Sequence, residues 1–363
     1  MRWPLRIVPR HALGRWPRAG IALAAIALAL LLGALFLWAA GIDPVAAYAA
    51  IGRAAFWGGA YALSDTAVKA TPLILCGLGC ALAFRMRLWN VGAEGQLLLG
   101  AWAASGVASF WLPAATPRPL MLAAMALAAL LAGGSYAALA GWLKARLNVS
   151  EILSTLMLVY VATHFNNFWI FGPWSQSGFP LTPQFPPAAQ LWRLSDAAAQ
   201  VPALGGIGLH AGFALALLTA AICWWSLRQT RLGLAIDAVG DNAATARSVG
   251  IDVGRTTVLV LALSGACAGL AGMVEVSGVV LRLQERFSPG YGFTAIIVAW
   301  LARLHPALVV VVALLFGGLL VGCREVQPAG IAMLLQGTLL FVVVGSEFFV
   351  RYRLRWCGWR AHE

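Results

Sequence analysis

The chain has 363 residues, of which 61% are hydrophobic and only 10% charged, and its net charge is +12. A soluble domain carries about 25% charged residues, so this composition excludes an ordinary soluble globule. The basic excess comes from arginines dispersed between apolar spans, with two lysines in all (Lys69 and Lys144), which points to a membrane surface and away from nucleic acid.

Apolar runs of about 20 residues recur and predict an all-α, polytopic helical membrane protein of about ten transmembrane helices. Such long runs, with little polar alternation, argue against a β-barrel. In chain order the expected spans are 20–40, 67–84, 94–112, 119–143, 151–171, 210–227, 256–280, 290–303, 306–323 and 328–350. The first follows Arg2, Arg6, Arg10, Arg15 and Arg18 and exceeds a signal-peptide core, so it reads as an uncleaved span. The eighth is too short to cross about 30 Å of hydrocarbon. Pro289, Gly290 and Gly292 open it, and it reads as a discontinuous helix. On this path eighteen of the basic residues lie on inner segments and six on outer ones, which places both termini in the cytoplasm. The expected organisation is a basic segment 1–19, a single transmembrane domain 20–350 and a basic tail 351–363.

The six cysteines contain no CxxC, and the five histidines show no ligand spacing; both read as packing or loop residues, and no metal is expected. Polar groups are instead concentrated at Trp89-Asn90-Val91-Gly92-Ala93-Glu94-Gly95-Gln96. A carboxylate and two amides at the edge of hydrocarbon are costly unless they face protein or water. The stretch reads either as a break in the membrane helices beside a solute path, or as a cytoplasmic turn with Glu94 at a helix start. Further along, Glu151 follows Asn148-Val149-Ser150, as a helix-start residue would. Asn166 and Asn167 form interhelical hydrogen bonds or line a path. Glu275 is the most embedded carboxylate, facing a wet cavity or pairing with Arg282 about two turns on.

Two stretches lie outside the membrane. Residues 172–209 are Pro-rich, nearly uncharged and extracytoplasmic by parity, and form a lid, a docking surface or a passive connector. Residues 228–255 lie on the cytoplasmic side. There Asp241 or Asn242 caps a helix start, 243–249 propagates well, and Gly250 suits the left-handed residue after a helix end. The expected product is a two-turn helix, either docking on a cytosolic partner or solvated. There is no GxxxxGK[ST], since neither lysine follows a glycine, so any ATP is bound by another chain.

These residues resemble a known family. Trp89-Asn90-Val91-Gly92-Ala93-Glu94-Gly95-Gln96 is similar to the Phe-Asn-Ile-Gly-Ala-Glu-Gly-Gln signature of permease subunits from bacterial ABC importers for nucleosides and simple sugars. These form the nucleoside branch of the branched-chain amino acid, ribose and nucleoside permease superfamily. Asn148–Leu158, Gly240–Ile251 and Pro289–His305 resemble three further segments of that family, in order. The resemblance covers about residues 65–350. It implies an importer half-channel in the bacterial inner membrane, paired with a second and different permease, two cytosolic ATPases and an extracytoplasmic binding lipoprotein. The cytoplasmic helix would be the coupling helix, with Gly240, Asp241, Asn242, Ala246, Arg247, Gly250 and Ile251 facing the ATPase. Trp89 stands where Phe is usual, and Ser248-Val249 replaces Tyr-Ala. The candidate path residues are Trp89, Asn90, Glu94, Gln96, Glu151, Asn166 and Glu275, and the expected solute is a nucleoside or a related small polar solute. Alternatives are a permease for simple sugars, and a stand-alone secondary transporter using Glu275 and Glu347. No cluster of catalytic groups suggests an enzyme.

Overall fold

The computed structural model describes residues 5–9, 15–199, 201–326 and 330–356. The rest of the basic N-terminal segment, the start of the tenth expected span at 328 and the tail beyond 356 lie outside the described residues.

The chain divides into two units, the first made of both chain ends and the second of 53–321. The first holds α1 (Arg15–Ala39), α2 (Pro44–Gly52) and α13 (Ile331–Arg351). (Numbering follows chain order, so α3 to α12 belong to the second unit.) Ala25 and Ala29 of α1 meet Val342 of α13, with Leu32 and Leu339 closing over them. Between α1 and α2 the chain bends by 118° at Gly41, whose φ of +77° suits a residue without Cβ. The Tyr48 hydroxyl ties α2 back to α1 by donating to the Leu30 carbonyl at 2.7 Å. The basic ends form a short antiparallel ladder, β1 (Leu5–Pro9) on β2 (Tyr352–Trp356), in which Leu5 faces Trp356. The sequence expectation had no strands there, because a two-stranded pairing needs both distant ends together.

The second unit contains α3 (Gly59–Arg85), α4 (Ala93–Gly106), α5 (Arg118–Leu147), α6 (Glu151–Phe171), α7 (Ala211–Gln229), α8 (Arg231–Asp241), α9 (Ala243–Ser248), α10 (Val253–Glu275), α11 (Tyr291–Leu301) and α12 (Pro306–Gly322). α4 and α10 each end in a π-helical turn, 107–111 and 276–280. α10 is central, packed on α3, α4 and α5. Small residues make this possible. A Cβ on Gly265 would run into the Gly133 backbone of α5, and one on Gly269 into Ala129 of the same helix; one on Gly100 of α4 would run into Gly269. In lipid, where burial gives little driving force between helices, such close backbone approach is a principal source of association.

Among the described residues, five helices are long and apolar enough to cross a membrane: α3, α5, α7, α10 with its π end, and 306–325. The bent pair from α1 into α2 makes a sixth. α11 has only 11 residues and is a short apolar helix, as the discontinuous eighth span predicted.

The long segment 172–209 is bound to the chain after α10. Thr182 and Leu283 exchange two hydrogen bonds (2.8 and 2.9 Å), Phe185 N–H donates to Leu281 O, and Leu191 N–H to Ser277 O. The Arg193 guanidinium donates to Gly278 O at 2.7 Å. At its start Trp174 is buried among Trp102, Phe110 and Trp169, stacked on the first two.

Candidate functional site

Helix α3 ends at Arg85, and the turn 86–92 delivers the chain to α4. Asn90 in that turn is fully buried. Its amide nitrogen donates to Gln96 Oε1 and Ser264 Oγ, both at 2.8 Å. Its amide oxygen accepts from Gln96 Nε2 at 2.9 Å and from the Gly92 N–H at 3.1 Å. Both donors and both lone pairs of the amide are therefore used within the protein. The turn is also fixed to α6, since Val91 N–H donates to Thr155 Oγ1 and a Cβ on Gly92 would press on Thr155.

Glu94 is in the first turn of α4, yet its carboxylate serves another helix. Its Oε2 accepts the Gly292 N–H at 2.7 Å, in the first turn of α11. A carboxylate at a helix N-terminus meets the unpaired N–H groups and the positive end of the dipole. Gly292 has no room for a side chain, because a Cβ would overlap the Ala93–Glu94 backbone. Ser288 completes the start of α11 by accepting from the Gly290 and Tyr291 N–H groups. Trp89 remains 39% exposed, with its ring against Trp300 of α11 (5.5 Å, stacked) and Phe84 of α3 (5.2 Å).

Glu275 is buried at the last α-helical position of α10. It does not pair with Arg282. Its Oε1 lies 3.2 Å from Lys69 Nζ of α3 and accepts from the Tyr291 hydroxyl of α11 at 3.3 Å. Lys69 also donates to that hydroxyl at 2.8 Å. The expected spacing to Arg282 fails because the helix widens into a π turn after Glu275 and ends at Leu281, whose φ is +59°. Lys69 and Tyr291 were not among the sequence candidates. The signal for Lys69 was present: an ammonium inside an apolar span needs a partner.

The second lysine is paired too. Lys144 in the last turn of α5 lies 3.0 Å from Glu151, the first residue of α6, across a turn whose Asn148 is left-handed (φ +50°). Asn166 is buried on α6, and its Oδ1 has no hydrogen-bond partner among the described residues. The structure thus gathers Asn90, Glu94 and Gln96 around the start of α4, joins that region to Glu275 through α11, and sets Glu151 one turn from Thr155. Asn166 stands apart, next to the Phe165 ring that meets Trp102.

Residues 228–255 form two helices rather than the single one expected. Thr230 caps α8, which buries Gly233, Ile236, Val239 and Gly240. Arg85 grips Asp237 with two hydrogen bonds of 3.1 and 3.2 Å, and Gly240 packs on the Arg85 carbonyl. Gly240 and Asp241 consequently end α8 instead of opening the short helix, the expected coupling helix. Asn242 opens α9, its Oδ1 accepting from Ala244 and Thr245 N–H. Gly250 (φ +88°) and the Ile251 N–H to Ala246 O bond at 3.0 Å close it as a left-handed C-terminal motif. Ala246 is buried, whereas Thr245, Arg247, Ser248 and Val249 are exposed.

Comparison with known proteins accords with this architecture. Residues 62–344 match the family described as branched-chain amino acid transport system / permease component. The chain is 35% identical to the glucose ABC transporter permease protein TsgB13 of Haloferax volcanii, over 98% of this chain and 94% of that protein. It is also 35% identical to the guanosine ABC transporter permease protein NupP of Bacillus subtilis, over 92% and 94%. Identity to the nucleoside ABC transporter permease protein NupB of Lactococcus lactis is 30%, over 86% and 85%. No solved structure matches significantly. A family match across most of the chain, with relatives aligned along nearly all of it, means that the chain belongs to the branched-chain amino acid transport system permease family, as a transmembrane permease subunit of the ABC type.

Proposed function

We propose that this subunit carries nucleosides or related small polar solutes across the inner membrane, driven by ATP hydrolysed on a cytosolic partner. The observation that supports this most directly is α9. It is a two-turn helix capped at both ends, with an exposed face, held between α7 and α10. Arg228, Arg231, Arg247 and Arg255 around it agree with a cytoplasmic position. An ABC permease subunit is not itself an enzyme, and the sequence has no phosphate-binding loop, so the energy enters through this contact. Asn242, Ala246, Arg247, Gly250 and Ile251 form or stabilise the docking helix, while Gly240 and Asp241 set its angle at the end of α8. A second, different permease and an extracytoplasmic binding lipoprotein complete the importer, with 172–209 on the outer side.

Within the site, Asn90, Glu94 and Gln96 act as braces, because their polar atoms are engaged by the protein. Glu151 staples α5 to α6 through Lys144. Trp89, Glu275 and Asn166 are the path candidates, Trp89 through its exposed ring. A simple-sugar solute is the second reading, favoured by the 35% identity to a permease named for glucose.

The test is energised uptake of radiolabelled guanosine and glucose by cells expressing the full importer. Arg247→Glu is expected to insert normally and to abolish uptake. Normal uptake by that variant, or ion-driven uptake by the purified chain without ATP, would sink the assignment.

A further inference from the structure

We propose that Lys69, Glu275 and Tyr291 form a station on the solute path that reads a vicinal diol of the passing solute. This rests on the reading above that the chain is a permease for nucleosides or sugars, and it names the chemistry that those two solute classes share.

The three groups come from three helices, α3, α10 and α11, and converge on one point. Lys69 Nζ is 2.8 Å from the Tyr291 hydroxyl and 3.2 Å from Glu275 Oε1, and the hydroxyl is 3.3 Å from the same carboxylate oxygen. Glu275 and Tyr291 are each only 1% exposed. The Lys69 side chain is 14% exposed, more than its carboxylate partner. An ion pair taken this far from water is a poor way to gain stability, since an apolar pair of similar volume serves as well or better. Ionisable groups inside a membrane domain are in general functional.

The chemistry narrows the function. The cluster is neutral overall, which suits an uncharged solute. Tyr291 accepts from the ammonium and donates to the carboxylate, which is the role a solute hydroxyl would fill. Two adjacent hydroxyls fill it better: one accepts from Lys69, and its neighbour donates to Glu275. Tyr291 is therefore a built-in hydroxyl that occupies the station when no solute is present.

The surrounding backbone allows the exchange. Tyr291 is the first residue of the short α11, preceded by Gly290 at φ +90°, and Glu275 is followed directly by a π turn. Both are places where a helix re-aims a side chain at modest cost.

The experiment compares uptake of guanosine and 2′-deoxyguanosine by the assembled importer. The binding lipoprotein's own preference cancels when each variant's ratio is divided by the wild-type ratio. Lys69→Met and Glu275→Gln are each expected to lower guanosine uptake about tenfold, the loss of one charge-assisted hydrogen bond, with much less effect on the deoxy compound. Tyr291→Phe removes the internal hydroxyl and is expected to keep guanosine uptake at or above wild type, whereas a purely structural tyrosine would lose it. Should a single charge variant fail to insert, the double variant Lys69→Met/Glu275→Met restores an apolar pair and is expected to insert while losing the ribose preference. An unchanged guanosine-to-deoxyguanosine ratio in inserted charge variants overturns the diol station. So does loss of uptake in an inserted Tyr291→Phe. If the wild type carries glucose and no nucleoside, the same ratio is read for glucose against 2-deoxyglucose and against 3-deoxyglucose, which between them remove every vicinal pair, and the charge variants must change at least one of the two ratios. If it carries neither, the nucleoside-or-sugar reading on which the station rests fails, and the station with it.

Discussion

Replacing Asn90 by Leu is expected to destabilise the protein far more than replacing Gln96 by Leu, although the two amides bond to each other. Asn90→Leu strips the Gln96 amide of its two Asn90 contacts and the Gly92 N–H of its acceptor. Each of the three buried groups left unpaired costs about 1–3 kcal/mol, so the sum is about 6 kcal/mol. Gln96→Leu leaves Asn90 still bonded to Ser264 and Gly92, and costs about 1–2 kcal/mol. The double variant removes both amides together. Since apolar replacement of both partners is nearly neutral, it is expected to recover about half of the single Asn90 loss. Thermal unfolding of the detergent-solubilised importer, followed by tryptophan fluorescence, reads the order directly. Equal losses for the two single variants would refute the bonding pattern. An Asn90→Leu protein of wild-type stability that has lost uptake would place Asn90 on the solute path instead.

Gly292→Ala forces a methyl into the Ala93–Glu94 backbone and is expected to cost about 3 kcal/mol from overpacking plus the displaced Glu94 bond, seen as a lowered Tm. Asn242→Ala removes the cap of α9 and is expected to cost about 1 kcal/mol locally, read as reduced solute-stimulated ATPase activity with normal membrane insertion. Gly250→Ala places a Cβ on a left-handed residue and is expected to reduce the same activity by destabilising α9 by about 1 kcal/mol. Lys144→Met breaks a partly exposed pair and is expected to change stability by no more than about 1 kcal/mol after solvent screening, since Lys144 is one-third exposed.

What was legible in the sequence was local. Asn242 and Gly250 announce the ends of α9 because capping is decided within one turn of chain. Gly290 and Gly292 announce a broken helix for the same reason. The partners of the buried charges were not legible. Lys69 and Glu275 are 206 positions apart, and only the packing of α3 on α10 brings them together. Arg282 was the natural partner by spacing, but that spacing assumed a regular helix through a region that becomes π. α8 was missed because its terminal anchor, Arg85 on Asp237, is also tertiary. Glu94 was legible as a helix-start residue, yet the helix whose start it bonds is α11, which no pattern within 88–99 reveals.

The glycine contacts along α10 have a mechanical consequence. Backbones in contact at Gly133, Gly265 and Gly269 leave α5 and α10 no room to approach further or to accept a side chain between them, and α10 runs on from there as one continuous rod. That rod begins three residues after Gly250 closes α9, through the Asp252 cap on Arg255 N–H. It spans 23 residues and ends at Glu275, about 33 Å away. Continuous helix therefore connects the turn after α9 to the Lys69–Glu275–Tyr291 contact, so a displacement imposed on α9 would have a direct structural route to that contact.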